Sequence, residues 1–114
     1  MVVSIPFRSV VQSSTLPNVF GNVDWTHGEA HMWEKHGVSS VEADEALDDP
    51  NRVVIDPDYA SVSGRSVRII GYSDTFGELL TVIVVAAGGE EFGVNGWMAN
   101  PKDRLIYSTQ GQRP

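Results

Sequence analysis

The spacing of hydrophobic and polar residues changes character twice along the chain. Between residues 23 and 49 the apolar positions recur at helical intervals, whereas between residues 52 and 99 they alternate or form short continuous runs. A last helical segment follows Asn100-Pro101. This order predicts an α+β fold, in which two N-terminal helices pack on a three- to four-stranded, mainly antiparallel sheet and a short C-terminal helix closes the domain.

Boundary residues place the two N-terminal helices. Thr26, with Glu29 three residues later, has the spacing of a capping box, and Gly37 is a typical stop for the helix that would follow. Ser39 and Glu42 repeat the capping-box spacing. The second helix is therefore predicted to start close to the end of the first.

The first helix has an apolar side and a polar side. A helical projection puts Ala30 and Trp33 on the apolar side. His36 projects between Met32 and Trp33, so we expect it to be a core histidine that is hydrogen-bonded to the backbone. The polar side consists of His27, His31, Glu34 and Lys35.

Four strands are predicted from runs that are rich in Val and Ile. They cover Arg52–Asp56, Arg65–Tyr72, Glu78–Ala87 and Glu90–Ala99. Gly88-Gly89 has the composition of a two-residue hairpin turn, which makes the last two strands antiparallel neighbours. The closing helix is expected to start at Pro101 and to end near Tyr107.

A single domain with two flanking segments is expected. The 114 residues suit one hydrophobic core, which we place at residues 23–108. Residues 1–22 form a leader that is either loosely attached or paired at a sheet edge, and residues 109–114 form a C-terminal tail.

Composition and charge exclude several classes of protein. With 41% hydrophobic residues the chain is too apolar to be disordered, and no apolar run is long enough for a membrane helix. The absence of cysteine excludes disulfides and thiolate zinc sites. Pro6 and Arg8 interrupt any secretory signal, and we expect a cytoplasmic protein. The net charge of −7 argues against a broad nucleic-acid surface but allows a small RNA-binding pocket.

Several short segments of the chain together form a pattern that is found in a known family. In the N-terminal half these segments are Val23-Asp24-Trp25, Glu34-Lys35-His36-Gly37-Val38-Ser39, Glu42-Ala43 and Asp49-Pro50. In the C-terminal half they are Ile70-Gly71-Tyr72-Ser73, Leu79-Leu80-Thr81-Val82, Ala99-Asn100, Asp103-Arg104 and Tyr107. With these segments the chain resembles the BrnT-like toxins over about residues 23–108, and the most specific part of the resemblance is Lys-His-Gly-Val-Ser.

This resemblance implies a fold, an activity and a partner. BrnT-like proteins have a RelE-like fold and act as ribonuclease toxins of type II toxin–antitoxin pairs, in which a helical, DNA-binding antitoxin neutralises the toxin. The chain departs from the family at two places. On an earlier strand, Arg65 and Arg68 lie near the family's usual basic position but do not coincide with it. Where the family usually has Ser-Ala-Arg on its last strand, this chain has Asn95-Gly96-Trp97.

Metal-independent cleavage of RNA by its own 2′-hydroxyl needs a base, an acid and cations that stabilise the phosphate. The candidate catalytic residues are Lys35, Arg65, Arg68 and Arg104. The candidate substrate-binding residues are Tyr72, Asn95, Trp97 and Tyr107. If Arg68 and Asn95 face one groove, they could bind a phosphate while Trp97 stacks on a base.

A metal site is not expected, and neither is a cofactor. His27 and His31 have the i, i+4 spacing of two metal ligands, but no third ligand has a matching spacing. His36 points about 140° away from His31 on a helical wheel.

Each candidate also has a purely structural interpretation. Lys35 fits a solvated helix face, Arg65 and Arg68 fit strand residues paired with acids, and Trp97 and Tyr107 fit packing residues. The acidic residues Asp44, Glu45, Asp48 and Asp49 fit either a solvated helix end or a patch for a basic partner.

Two functions therefore stay open. The first is a toxin that cleaves RNA and inhibits translation. The second is a non-catalytic member with the same fold that acts through a protein partner, which is favoured by Trp97 in place of arginine and by the net charge of −7.

Overall fold

The computed structural model describes residues 8–11 and 22–111. Within these ranges lie β1 (Arg8–Val11), α1 (Glu29–His36), α2 (Ser40–Leu47), β2 (Val53–Asp56), β3 (Ser66–Ser73), β4 (Glu78–Ala87), β5 (Glu90–Met98) and α3 (Pro101–Gly111). The strands form one antiparallel sheet in the order β1-β2-β3-β4-β5. The prediction of an α+β fold with helices packed on an antiparallel sheet is confirmed.

The sheet has one strand more than the largest number predicted. The additional strand, β1, pairs with β2 so that Arg8 lies opposite Asp56 and Val11 lies opposite Val53. The predicted leader therefore contributes an edge strand through residues 8–11. Its other residues, 1–7 and 12–21, lie outside the described residues, as do residues 112–114 of the predicted tail.

The predicted start of α2 and the predicted end of α1 are confirmed. The Ser39 hydroxyl accepts a hydrogen bond from the Glu42 N–H at 3.1 Å, and the Glu42 carboxylate accepts one from the Ser39 N–H at 2.9 Å. This reciprocal pair satisfies two donors that the helix itself leaves open. Gly37 ends α1 with a φ of +67°.

The predicted start of α1 at Thr26 is wrong. Gly28 precedes the first residue of α1, and no side chain caps the helix. The Thr26 N–H is bound instead by the Asp24 carboxylate at 2.8 Å. Asp24 is itself held to β5, since its N–H donates to the Glu91 carbonyl at 2.8 Å. The chain therefore turns once more before the helix begins.

The sheet has two faces of different character. α1 and α2 cover the first face, where the main core consists of Trp25, Met32, Val38, Ala43, Ala46, Leu47, Val54, Ile69, Leu80, Val82 and Val84. α3 covers part of the second face over a smaller core of Val53, Ile55, Ile70 and Ala99. Most of the buried apolar surface thus lies on the first face.

The apolar side of α1 was predicted wrongly. Met32 is the buried residue of this helix, whereas Ala30 and Trp33 are exposed. Met32 lies against Gly96 of β5, the last strand of the sheet. Because α1 packs mainly on this single edge strand, only a narrow side of the helix is covered, and Trp33 stays 61% exposed.

α2 approaches the sheet closely at Gly71 of β3. A β-carbon at this position would overlap the backbone carbonyl oxygen of Ala46. The absence of a side chain at Gly71 therefore sets the distance between α2 and the sheet. This contact brings the end of α2 over the middle of the first face.

α3 begins as predicted and is longer than predicted. The Asn100 side chain accepts a hydrogen bond from the Asp103 N–H at 2.8 Å, and Pro101 is the first residue of the helix. The helix continues to Gly111 rather than ending near Tyr107. In the described part of the chain, no helix has the length and apolar character needed to cross a membrane.

Candidate functional site

An open groove of about 630 Å³ lies where the end of α1 meets the end of β5. Its walls are formed by Lys35, His36, Trp97 and Met98. Because β5 is the edge strand, side chains at its end lie within reach of α1. The groove thus combines a cation, an imidazole and an indole on two elements that are far apart in sequence.

His36 makes two ring contacts, one with Trp97 inside this groove and one with His31 beside it. The ring centroids of His36 and Trp97 are 5.8 Å apart, and those of His36 and His31 are 5.9 Å apart. His36 is exposed, so the prediction of a buried core histidine is wrong. The physical reason is again that α1 covers the edge of the sheet and leaves this side of the helix in solvent.

A buried cluster of charged residues lies behind Trp97 on the second face. At its centre Arg68 is 4% exposed, and its Nε donates to the Asp58 carboxylate at 2.7 Å. Its Nη1 donates to the Asp103 carboxylate at 2.6 Å and to the Tyr59 hydroxyl at 2.9 Å. Its guanidinium carbon lies 5.6 Å from the Trp97 ring. We call Asp58, Tyr59, Arg68 and Asp103 the Arg68 cluster.

Asp103 ties the Arg68 cluster to β4 and to α3. Its side chain is fully buried and accepts further hydrogen bonds from the Tyr59 hydroxyl at 2.5 Å and the Thr81 hydroxyl at 2.6 Å. One guanidinium faces two carboxylates, so the ionised cluster has a net charge of −1. An arginine in this position is already neutralised and offers little attraction to a phosphate.

The protonation of the Arg68 cluster follows from burial and from these bonds. Burial by itself would lower the pKa of Arg68, but the hydrogen bond to Asp58 and the charges of Asp103 and Asp58 raise it above its ordinary value. Burial and the hydrogen bond to Asp103 raise the pKa of Tyr59 to about 12. Arg68 is therefore charged and Tyr59 is neutral at physiological pH.

The other two predicted arginines lie away from the groove. Arg65 is an exposed residue just before β3, and its N–H donates to the Ser63 hydroxyl at 3.2 Å. Arg104 forms an exposed ion pair with Glu78 at 3.0 Å and also donates to the Ala99 carbonyl. Of the four predicted catalytic residues, the structure brings only Lys35 into the groove, while Arg68 lies behind it.

Two of the predicted substrate-binding residues meet elsewhere, at Asp49. The Tyr107 hydroxyl and the Tyr72 N–H both donate to Asp49 Oδ2 at 2.7 Å. Asp49 is buried, and burial together with this hydrogen bond raises the pKa of Tyr107. Tyr107 thus attaches α3 to the end of α2.

Asn95 and Trp97 lie on the same face of β5, as predicted from their spacing. Asn95 lies opposite Ile83, which in turn lies opposite Arg68, so Asn95 and Arg68 do face the same side of the sheet. The Asn95 side chain accepts a hydrogen bond from the Gly96 N–H at 2.9 Å.

The acidic residues near the end of α2 mostly hold the fold together. Asp44 accepts a hydrogen bond from the Trp25 indole at 2.9 Å. Glu45 accepts hydrogen bonds from Thr75 and Ser73, and those from Thr75 are the main cause that lowers the pKa of Glu45. Burial raises the pKa of Asp44. Within the described ranges, no group of three or more His, Asp or Glu side chains is arranged to hold a metal ion.

His36 and Met98 are the residues of the groove that the sequence did not predict, and His36 is the one of the two that can transfer a proton. A helical wheel placed it next to Met32 and Trp33, and the wheel contains no information on how much of the helix a sheet covers. A signal was present in the sequence, because Lys35 and His36 come directly before Gly37, where the helix ends. Side chains of the last helical turn often project beyond the element that the helix packs on.

A comparison with known proteins gives no match. No family model fits this chain, and no curated protein or solved structure has significant similarity to it. The resemblance to BrnT-like toxins thus stays a prediction.

Proposed function

We propose that this protein is a RelE-like, metal-independent endoribonuclease of a toxin–antitoxin pair, and that it cleaves single-stranded RNA in the groove at the end of α1. The observation that carries the proposal is the convergence of Lys35, His36 and Trp97 in one open groove. Cation, imidazole and aromatic ring are the groups that bind a phosphate, transfer a proton and stack on a base.

The groove assigns a task to each group. An unpaired base stacks on Trp97, because an exposed aromatic face accepts any base that is not in a duplex. The Lys35 ammonium then binds the phosphate on the 3′ side of that nucleotide. Lys35 is exposed and sits in the last turn of α1, so its flexible chain can follow the phosphate as charge builds up.

The histidines account for the proton transfers. Neutral His36 takes the proton of the 2′-hydroxyl, whose oxygen attacks the phosphorus and forms the bond of a 2′,3′-cyclic phosphate. The bond from phosphorus to the 5′-oxygen breaks, and protonated His31 gives its proton to that oxygen. The two ring centroids are 5.9 Å apart, so that both histidines can reach one phosphate group, one at its attacking oxygen and the other at its leaving oxygen.

Two features of the resemblance are part of the proposal. A helical antitoxin encoded beside the toxin would neutralise it, and the target would be cytoplasmic RNA in translation. Arg68, which the sequence suggested as a phosphate ligand, has no such task here because two carboxylates already hold its guanidinium.

Cleavage of a labelled single-stranded RNA by the purified chain, with and without ribosomes, tests the proposal. His36→Ala is expected to lower kcat by about 10²- to 10⁴-fold, since that is the usual contribution of a general base. Trp97→Ala is expected to raise KM by about 10-fold or more, since stacking on one base contributes about 1–3 kcal/mol. His27→Ala is the matched control, because His27 is also an exposed histidine but lies against Phe92 instead of in the groove.

Full activity of folded His36→Ala would contradict the mechanism. Absence of cleavage by the wild-type protein in either condition would favour a second candidate, a non-catalytic protein that binds a partner. That candidate is favoured by the burial of Arg68 between carboxylates and by the net charge of −7. Tight binding of the RNA without cleavage would point to the same conclusion with RNA as the ligand.

A further inference from the structure

We infer that Arg68 is a positioning residue. It does not touch the RNA itself but holds the Trp97 indole in the orientation that stacks on a base. The inference deepens the proposed function and rests on it where RNA binding is concerned. The Arg68 cluster would then order the Trp97 ring, which is a role different from catalysis and from simple packing.

The register of the sheet brings the two side chains together. Trp97 lies opposite Thr81, and Arg68 lies opposite Ile83, two residues further along the same strand, β4. Both side chains point to the second face, so Arg68 reaches diagonally across β4 towards the indole. The guanidinium carbon ends 5.6 Å from the ring, which is within the range of a cation–π interaction.

Arg68 can serve as a rigid support because it is held from several directions. Asp58 from the loop after β2 binds its Nε, and Asp103 from α3 binds its Nη1. The Tyr59 ring packs against the guanidinium at 4.2 Å. These contacts come from the loop after β2 and from α3, so the guanidinium is held from two parts of the fold and has little freedom to rotate. A cation without surrounding water also interacts more strongly with an aromatic ring than an exposed one.

Among the described residues, the ring that contacts Trp97 on the side of the groove is His36, at 5.8 Å, which is exposed at the end of α1. This side chain has more freedom than the buried guanidinium of Arg68. The half-buried indole therefore relies on Arg68 for its order, and an ordered ring loses less conformational entropy when a base stacks on it. The stacking surface is thus preformed in the absence of RNA.

The experiment measures the order of Trp97 and the binding of RNA separately. The full chain is labelled with 5-fluorotryptophan, and Trp97→Phe identifies the ¹⁹F resonance of Trp97 among the three tryptophans. Binding is measured by fluorescence anisotropy with a 2′-O-methyl single-stranded oligonucleotide, which cannot be cleaved through its 2′ position. Two variants are compared with the wild type. The triple variant combines Arg68→Met with Asp58→Asn and Asp103→Asn, and the single variant carries Asp58→Asn alone.

The triple variant removes the guanidinium without leaving a buried carboxylate unpaired, and such replacements are often tolerated. Asp58→Asn alone removes the charge of one support and decides the question if the triple variant does not fold. Arg52→Met is the matched control, because Arg52 is the second buried arginine among the described residues but precedes β2, three strands away from β5.

In the triple variant we expect the Trp97 resonance to shift and broaden and the Kd for the oligonucleotide to rise about 10-fold, with about a 3-fold rise in Asp58→Asn. Arg52→Met should lower the Tm but leave both readings unchanged. A folded triple variant with an unchanged Trp97 resonance and a Kd within 2-fold of wild type would overturn the inference.

The two readings also separate this inference from the proposed function. If wild-type protein does not bind the oligonucleotide, the proposed function fails, and the ¹⁹F spectra alone decide whether Arg68 orders Trp97. A shifted resonance in the folded variants would then support the positioning role, and an unchanged one would overturn it.

Discussion

The two faces of the sheet are closed by different kinds of interaction. On the first face α1 and α2 pack through aliphatic side chains, with Met32 and Leu47 almost completely buried. On the second face α3 is attached largely through carboxylates, namely Asp103 to the Arg68 cluster and Asp49 to Tyr107. Apolar packing tolerates small adjustments, whereas a buried charge needs each of its partners.

The candidate groove lies at the edge of the sheet, between the end of α1 on the first face and the Trp97 side chain on the second face. α3 lies mainly over β2 and β3, and the end of β5 stays accessible. The comparison between the faces leads to four predictions.

Asp103→Ala should have the largest effect, because it leaves Arg68 buried with only one of its two carboxylate partners. Removing one partner of a buried ion pair typically costs about 3–5 kcal/mol. Urea unfolding should show this loss, and hydrogen exchange should show that α3 loses protection before α2 does. Asp103→Asn is the matched control with the same shape. Equal loss of protection in α2 and α3 would contradict the separation of the two faces.

Leu47→Ala tests the first face. The fully buried leucine is surrounded by aliphatic side chains, and its truncation should lower the free energy of unfolding by about 2–5 kcal/mol through lost burial and the cavity left behind. Val41→Ala serves as control, because Val41 is an exposed residue of the same helix. At temperatures where Leu47→Ala is still folded, we expect this variant to bind RNA with the same affinity as the wild type.

High pH should weaken the second face selectively. The pKa values of Tyr59 and Tyr107 are raised, to about 12 for Tyr59, so the folded protein holds these protons more tightly than the unfolded chain does. The corresponding stability is fully present below pH 10, the ordinary pKa of tyrosine, and is lost as the pH rises through the folded value of about 12. Urea unfolding from pH 9 to 12 should show a decline that is smaller in Tyr107→Phe. The same decline in both proteins would contradict a contribution from Tyr107.

The smallest effect is expected for the ion pair between Arg104 and Glu78. Both side chains are well exposed, so a double-mutant cycle with alanine should give a coupling free energy of about 0.2–1 kcal/mol that decreases with added salt. If the coupling free energy were as large as that between Arg68 and Asp103, solvent exposure would not explain the difference in strength between exposed and buried ion pairs.

Local signals in the sequence predicted much of the fold. Ser39 and Glu42 lie three residues apart, Gly88-Gly89 connects β4 and β5, and Pro101 begins α3. Each of these features depends on a few neighbouring residues, and such interactions are visible in sequence. The start of α1 was missed because Asp24 is bound to β5, a contact between residues 67 positions apart (24 and 91).

The sequence by itself determined the type and order of the elements from α1 to α3, because helical and strand periods and capping residues act over a few positions. It also placed Asn95 and Trp97 on one face of their strand. Only the tertiary structure decided that His36 joins Lys35 and Trp97 in the groove, and that Arg68 is buried between Asp58 and Asp103. The charge state and the accessibility of a side chain depend on residues that the fold brings close from distant positions in the sequence. A local sequence pattern therefore cannot predict either property.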